Sequence, residues 1–260
     1  MMHYISEKWR DILVFNHLDT YEKIWDLEAE WFEEPNHRRG GWSGVSRIEL
    51  NLPLGGKVGV FLKRQENHVS KSLRHPISGF STFVREYEHI NAFHDNGIPS
   101  LDLVFFEDWK DDGQRRAIVM TEELAGYIPL SSDEYQPGGV FVSTKTQKAN
   151  LFKKLASLMQ VMHENGFQHN CFYLKHIFAR PLQDGDVELR IIDLEKVKKP
   201  LVKNRARFRD LYTLFRHSDR WGVKDKIRFY RQYQQEEKLS KKSKKLWLKI
   251  ADKIARKSKI

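Results

Sequence analysis

The stretch Gln168-His169-Asn170-Cys171-Phe172-Tyr173-Leu174-Lys175-His176-Ile177-Phe178, with Arg190-Ile191-Ile192-Asp193-Leu194-Glu195 downstream of it, decides how this chain is read. A helical pattern closes at Gly166 and a polar loop follows. The spacing predicts a short strand from Lys175 to Ala179, a turn at Gln183-Asp184-Gly185-Asp186 and a second strand from Val187 to Ile192. That second strand delivers an acid, Asp193, at its end. A histidine on one strand, His176, and a carboxylate at the end of its hairpin partner can point at one small volume. Such a volume suits a divalent cation carrying phosphates, because hard cations take oxygen ligands and borrow the rest from substrate.

The loop and the acid after it resemble a protein-kinase catalytic loop followed by a metal-binding aspartate. The resemblance is closest to the bacterial lipopolysaccharide core kinases, the heptose and Kdo kinases with their InaA-like branch. In that family the loop carries His-Arg-Asp, then a metal ligand five positions after the aspartate. Here His169 matches the histidine, Asn170 stands where arginine is usual, and Cys171 stands where the aspartate is usual. His176 matches the metal ligand, and Asp193 matches the acid of the metal motif, with Asp-Leu-Glu in place of Asp-Phe-Gly.

Composition is compatible with this. A chain of 260 residues can bury about three quarters of its unfolded surface, enough for two domains. Hydrophobic residues at 40% and charged residues at 31% are globular rather than disordered values. The single cysteine excludes an intrachain disulfide and points to a reducing compartment. No basic-then-apolar leader is evident at the N-terminus, and no apolar run is long enough to cross a bilayer. The net charge of +10 is concentrated towards the C-terminus, which favours an anionic partner over general solubility.

Upstream of the loop, residues from Trp9 to Phe32 mix acids with aromatic and aliphatic side chains. They read as an extension packing on a first lobe, with Asp19-Thr20 opening a short helix before Trp25. Arg38-Arg39-Gly40-Gly41-Trp42-Ser43-Gly44 is a glycine-rich segment ahead of a strand from Val45 to Leu52. Its glycines Gly40, Gly41 and Gly44 allow backbone N–H groups to approach a phosphate. Most such hairpins are only turns, and the kinase Gly-x-Gly-x-x-Gly spacing is not met. One hairpin later a strand ends in Lys63. A solvated strand end is the ordinary explanation; the kinase reading needs a partner acid on the next helix. Phe83, Tyr87, Ile90 and Phe93 give helical spacing there. Glu86 falls within that apolar stripe and Glu88 opposite it, so Glu86 is the acid that needs a cation.

Two strands, from Leu101 to Asp108 and from Ala117 to Met120, lead to Thr121-Glu122-Glu123-Leu124. By position these match the kinase hinge, so the resemblance implies that backbone groups of Glu122 and Leu124 bind an adenine edge. A loop from Tyr127 to Val142 reads as a lid or acceptor element, and Lys145 to Asn165 as a helix with Leu151, Leu155, Leu158, Met159 and Met162 on its core face. His163 reads as structural, capping carbonyls near the helix end. Arg209-Asp210-Leu211 opens a further helix, where Asp210 serves either as a helix N-terminal acid or, by resemblance, as a partner of the loop backbone. From Lys238 to Ile260 the chain is basic, with an apolar stripe of Trp247, Ile250, Ala251 and Ile254 for docking and a lysine face for solvent or anionic lipid.

The reading is an α+β, two-lobed, protein-kinase-like fold: an N-lobe of antiparallel sheet plus helix over 1–120, a hinge over 121–124, and a mainly helical C-lobe over 125–260. The resemblance implies ATP- and Mg2+-dependent phosphorylation of a sugar hydroxyl in the lipopolysaccharide core, in the cytoplasm at the face of the inner membrane. The implied catalytic residues are His169, Cys171, Lys63 and Glu86, with His176 and Asp193 as metal ligands. Cys171 is the weak point. A thiol of pKa about 8.5 accepts protons poorly at neutrality, and losing a general base costs about 10²–10⁴-fold. Glu195 and Asp210 are alternative bases, and a pseudokinase that binds nucleotide or glycolipid without transfer is the alternative function. No nucleic-acid motif is present, so no nucleic-acid partner is expected.

Overall fold

Alternating apolar and polar residues lay down an antiparallel sheet in the first half of the chain. The computed structural model describes residues 2–38, 40–72 and 75–257. Arg39 of the glycine-rich segment and 258–260 of the basic tail lie outside the described residues. The chain divides into two units, the first Met1–Asn91 with Leu101–Ala125, the second Ala92–Ser100 with Gly126–Ile260.

In the first unit the elements run β1 (Met2–Ile5), α1 (Glu7–Phe15), α2 (Tyr21–Trp25), β2 (Trp31–Arg38), β3 (Gly41–Asn51), β4 (Lys57–Glu66), β5 (Val69–Ser72), β6 (His75–Ser81), α3 (Thr82–Asp95), β7 (Leu103–Asp111) and β8 (Gln114–Glu122). The main sheet has six strands in the order β1-β7-β8-β4-β3-β2, every neighbour antiparallel. Period-two alternation in β4 sends Val60 and Leu62 to one face and Lys63 to the other. Against Val60 and Leu62 pack Trp9 and Leu13 of α1, Leu18, and Ile24 of α2. The N-terminal extension therefore supplies a third of the buried residues of this core. Helix α1 was not legible in the sequence; the short helix before Trp25 was, and Thr20 caps it by accepting from Lys23 N at 3.4 Å.

Strand β3 begins at Gly41, four residues earlier than the sequence suggests, so Gly41 and Gly44 are strand residues and only Gly40 is in the turn, with φ of 81°. The space beside Gly44 is filled: a Cβ there would meet the Trp31 ring at 2.5 Å. A Cβ at Gly41 would run into the Glu66 carbonyl on β4. These two glycines are required by packing inside the sheet, a use of glycine that mimics a phosphate loop in sequence.

The second unit holds β9 (Ile128–Pro129), α4 (Lys145–Glu164), β10 (Ile177–Pro181), β11 (Val187–Ile191), α5 (Lys203–Arg216), α6 (Val223–Gln234) and α7 (Lys241–Lys257), with a small sheet in the order β11-β10-β9. A capping box between Thr144 and Gln147 opens α4. Leu151, Leu155, Leu158, Met159 and Met162 are all buried, as their spacing predicts. The loop from Tyr127 to Val142 is strapped down where β9 pairs with β10. Helix α7 docks through Trp247, whose ring lies 5.4 Å from Phe215 and 5.3 Å from Tyr230, and through buried Ile250. Ala251, expected in the docking stripe, is exposed. Lys253 lies instead over the rings of Phe208 and Tyr212, so part of the basic face also serves docking.

Because Trp9 is 1% exposed within the first unit's core, Trp9→Ala should cost about 3–5 kcal/mol in denaturant unfolding. A loss below about 1 kcal/mol would assign the extension to the periphery instead.

Candidate active site

His176 and Asp193 meet: His176 Nδ1 lies 3.4 Å from Asp193 Oδ2. His176 does not sit on the strand, as the sequence suggests, but on a single 3-10 turn, Leu174–His176, that leads into β10. Asp193 follows β11 in the left-handed region, φ 62° and ψ 56°, which turns its side chain off the strand line. His176 Nδ1 is also 2.9 Å from the Cys171 carbonyl. A carbonyl only accepts, so Nδ1 carries the proton. Burial holds the His176 pKa below the usual value, so the ring is neutral and its Nε2 lone pair remains available. A histidine pinned through its other nitrogen is the usual arrangement of a metal ligand. No cluster of three or more such side chains exists among the described residues. With Nδ1 protonated and facing Asp193, these two side chains would hold a cation through His176 Nε2 and an Asp193 oxygen, with phosphate oxygens and water completing a shell such as Mg2+ takes.

The loop before His176 is held from below by Asp210. This carboxylate is fully buried in the middle of α5, not at a helix start. Its Oδ2 accepts from His169 N at 2.7 Å and its Oδ1 from Asn170 N at 2.9 Å. Of the two readings open in the sequence, the loop-backbone partner is the one observed. Both Asp210 oxygens are engaged beneath the loop. His163 bridges Asp210 and Tyr233, with Nε2 3.2 Å from Oδ2 and Nδ1 2.8 Å from Tyr233 Oη, and caps no carbonyl.

His169 is buried, with Nε2 3.0 Å from the Ile192 carbonyl and Nδ1 accepting from Cys171 N at 3.2 Å. Burial depresses its pKa. Both nitrogens are used, so His169 ties the loop to the end of β11. Asn170 adopts φ of 67°, a conformation asparagine tolerates well, and donates from Nδ2 to the Lys196 carbonyl at 2.7 Å. The sequence reading noted it only as a departure from arginine; its signal was the asparagine itself, at a position that needs positive φ. Cys171 is 7% exposed. Burial, reinforced by the charge of the Asp193 carboxylate, raises its pKa, so sulfur keeps its proton near neutrality.

In the first unit, Lys63 Nζ and Glu86 Oε1 form an ion pair at 2.5 Å. Glu86 is 2% exposed and Glu88 is exposed, the assignment that the helical stripe predicts. At the end of β8, the Glu122 amide donates to the Asp102 carbonyl and the Glu122 carboxylate takes Lys8. The Leu124 N–H, by contrast, makes no hydrogen bond among the described residues.

Comparison with known proteins bears on this arrangement. The profile of the lipopolysaccharide kinase (Kdo/WaaP) family matches residues 22–233. Protein InaA of Escherichia coli (strain K12) is 34% identical over 188 residues, 72% of this chain and 83% of that protein. Lipopolysaccharide core heptose(I) kinase WaaP of Escherichia coli is 28% identical over 235 residues, 83% of this chain and 81% of the kinase. A solved structure of WaaP in complex with acyl carrier protein superposes with a TM-score of 0.70 at 20% identity, covering all of this chain and 98% of that one. This likeness establishes a protein-kinase-like fold.

Asp210→Asn would leave one loop amide facing an NH2 group. It should cost about 1–3 kcal/mol of stability and speed hydrogen exchange at the His169 and Asn170 amides. Unchanged exchange there would mean that the loop is held by other contacts.

Proposed function

Because this chain belongs to the lipopolysaccharide kinase (Kdo/WaaP) family, we propose that it transfers the γ-phosphoryl group of ATP, with Mg2+, to a sugar hydroxyl of the lipopolysaccharide core. The observation that carries this reading is the retention of two ion-handling pairs, Lys63–Glu86 and His176–Asp193. Phosphoryl transfer depends mostly on positioning and on cationic stabilisation of the phosphates, and these are the parts retained. Lys63 holds nucleotide phosphates and buried Glu86 fixes its ammonium group. His176 and Asp193 hold the cation, which when bound neutralises charge on the transferring phosphate. The Leu124 N–H and the Glu122 carbonyl take the adenine edge. Gly40 turns the hairpin over the phosphates, while Gly41 and Gly44 keep that hairpin flat rather than touching the nucleotide. The acceptor belongs to a membrane glycolipid, so the enzyme works at the cytoplasmic face of the inner membrane, where the exposed lysines of α7 favour anionic lipid. No helix among the described residues is long and apolar enough to cross a membrane.

One observation favours the second reading, a pseudokinase that binds nucleotide or glycolipid without transfer. At the position of the usual aspartate stands a buried thiol whose pKa is raised by burial and by the Asp193 charge, so it stays protonated. It offers no carboxylate to an acceptor hydroxyl.

Three measurements separate these readings. Mg-ATP should raise the melting temperature of the protein, and Lys63→Ala should remove the shift; no shift in the wild type sinks nucleotide binding altogether. Single-turnover transfer of labelled γ-phosphate to core oligosaccharide should be detectable and lost in Asp193→Ala. Saturable binding without turnover selects the pseudokinase. Cys171→Asp should raise the transfer rate by up to about 10²–10⁴-fold, and an unchanged or lower rate would reject the cysteine as the limiting group.

A further inference from the structure

Between β11 and α5 the chain runs Lys196-Val197-Lys198-Lys199-Pro200-Leu201-Val202. Val197 is buried, but Leu201 is fully exposed and Val202 is 60% exposed. Single exposed apolar residues are ordinary on a protein surface; the setting of this adjacent pair is not. Every charged residue from Lys196 to Arg209 is Lys or Arg, and Lys196, Lys198, Lys199, Arg205 and Arg209 are exposed. Other exposed apolar residues have mixed charge around them. Val223 lies between Asp219 and Asp225 in sequence, and Leu54 lies between Glu49 and Lys57, which pair with each other.

Helix α7 brings more positive charge to the same end of the second unit. Its Trp247 packs on Phe215, late in α5, while Lys249 and Lys253 lie over Phe208, early in α5. The two helices therefore run antiparallel, and the later, cationic half of α7 lies alongside the start of α5. The one acid in the α7 sequence, Asp252, is paired with Arg256. An apolar tip surrounded by cations matches an anionic bilayer, which offers phosphates at its surface and acyl chains beneath. A nucleic acid or a soluble acidic chain would use the cations and leave Leu201 in water. The segment is also fastened to the catalytic loop. Lys198 and Gln168 exchange backbone bonds at 3.0 and 2.8 Å, and the Lys196 carbonyl accepts from Asn170 Nδ2 at 2.7 Å. Three residues of chain reach at most about 11 Å, so a bilayer met at Leu201 lies close to that loop.

We propose that Pro200-Leu201-Val202 is a wedge that enters an anionic bilayer, with Lys198, Lys199, Arg205 and the later lysines of α7 on the lipid phosphates around it. This deepens the membrane placement given above and rests on it, but not on phosphoryl transfer. The cations supply a long-range, salt-sensitive attraction, and the wedge supplies a second, apolar signal that salt does not screen. Insertion at this point turns the catalytic loop towards the lipid surface.

Cosedimentation of the full chain with vesicles tests the assignment. The wild type should bind vesicles of phosphatidylglycerol with phosphatidylethanolamine and should not bind vesicles of phosphatidylcholine alone. Leu201→Ser with Val202→Ser keeps every cation and should weaken binding by roughly tenfold or more, the scale of one buried leucine, at an unchanged melting temperature. A second variant reads insertion directly. Cys171 is 7% exposed, so in Leu201→Cys a polarity-sensitive maleimide dye is directed to position 201. Its emission should shift to the blue on the anionic vesicles, and this reading stands even if the serine variant is unstable. Wild-type affinity in the serine variant, or bound labelled protein with no blue shift, overturns the wedge while leaving the membrane placement intact. A wild type that binds neither vesicle defeats the placement itself and the wedge with it. Preference for soluble polyglutamate over vesicles would assign this face to an acidic protein and also overturn the proposal.

Discussion

One buried carboxylate sets the geometry on which the second unit's chemistry depends. Asp210 presents both oxygens to consecutive amides of the loop, His169 N and Asn170 N. Backbone N–H groups cannot be relocated by side-chain rotation, so two bonds to adjacent amides fix the loop's direction as well as its position. The arrangement also explains why an acid is tolerated at full burial: the charge is met by amide donors and by His163. Removing one partner of a buried charge typically costs about 3–5 kcal/mol, so this contact is expected to be formed or lost as a unit. Tyr233 and His163 extend the support outward from Asp210, linking α6 and α4 to the loop.

The loop in turn holds the segment that carries Asp193. Gln168 and Lys198 exchange backbone bonds at 2.8 and 3.0 Å, Asn170 reaches the Lys196 carbonyl, and His169 reaches that of Ile192. Two residues with positive φ, Asn170 and Asp193, sit at the two ends of this lattice. Both are residue types that occupy the left-handed region at low cost. The left-handed turn at Asp193 is what allows a strand-end acid to face His176, whose carbonyl accepts from the N–H of Ile192, the residue just before Asp193. Helix, loop and strand thus converge through main-chain bonds.

How much of this was legible in the sequence follows from the range of each signal. Glu86 was legible because a single acid on an apolar helical stripe requires a cation, and only one basic strand end was close in sequence. The α4 core face was legible by periodicity alone. Glycine identity was misleading: Gly41 and Gly44 satisfy a tryptophan ring and a neighbouring strand, and sequence does not say whether the space beside a glycine belongs to ligand or to protein. Helix α1 escaped because its buried residues, Trp9 and Leu13, are too few to establish a period across a short segment.

The substitution at position 171 changes more than the supply of a base. The Cys171 thiol lies close enough to Asp193 to feel its charge, so Asp193 has a neutral group and no second carboxylate beside it at this position. An aspartate at the same place would put two like charges together in a partly buried site, and one would be driven towards protonation unless a cation offset it. Cysteine relieves that repulsion. What the substitution removes is a carboxylate able to accept the proton of an acceptor hydroxyl at this position.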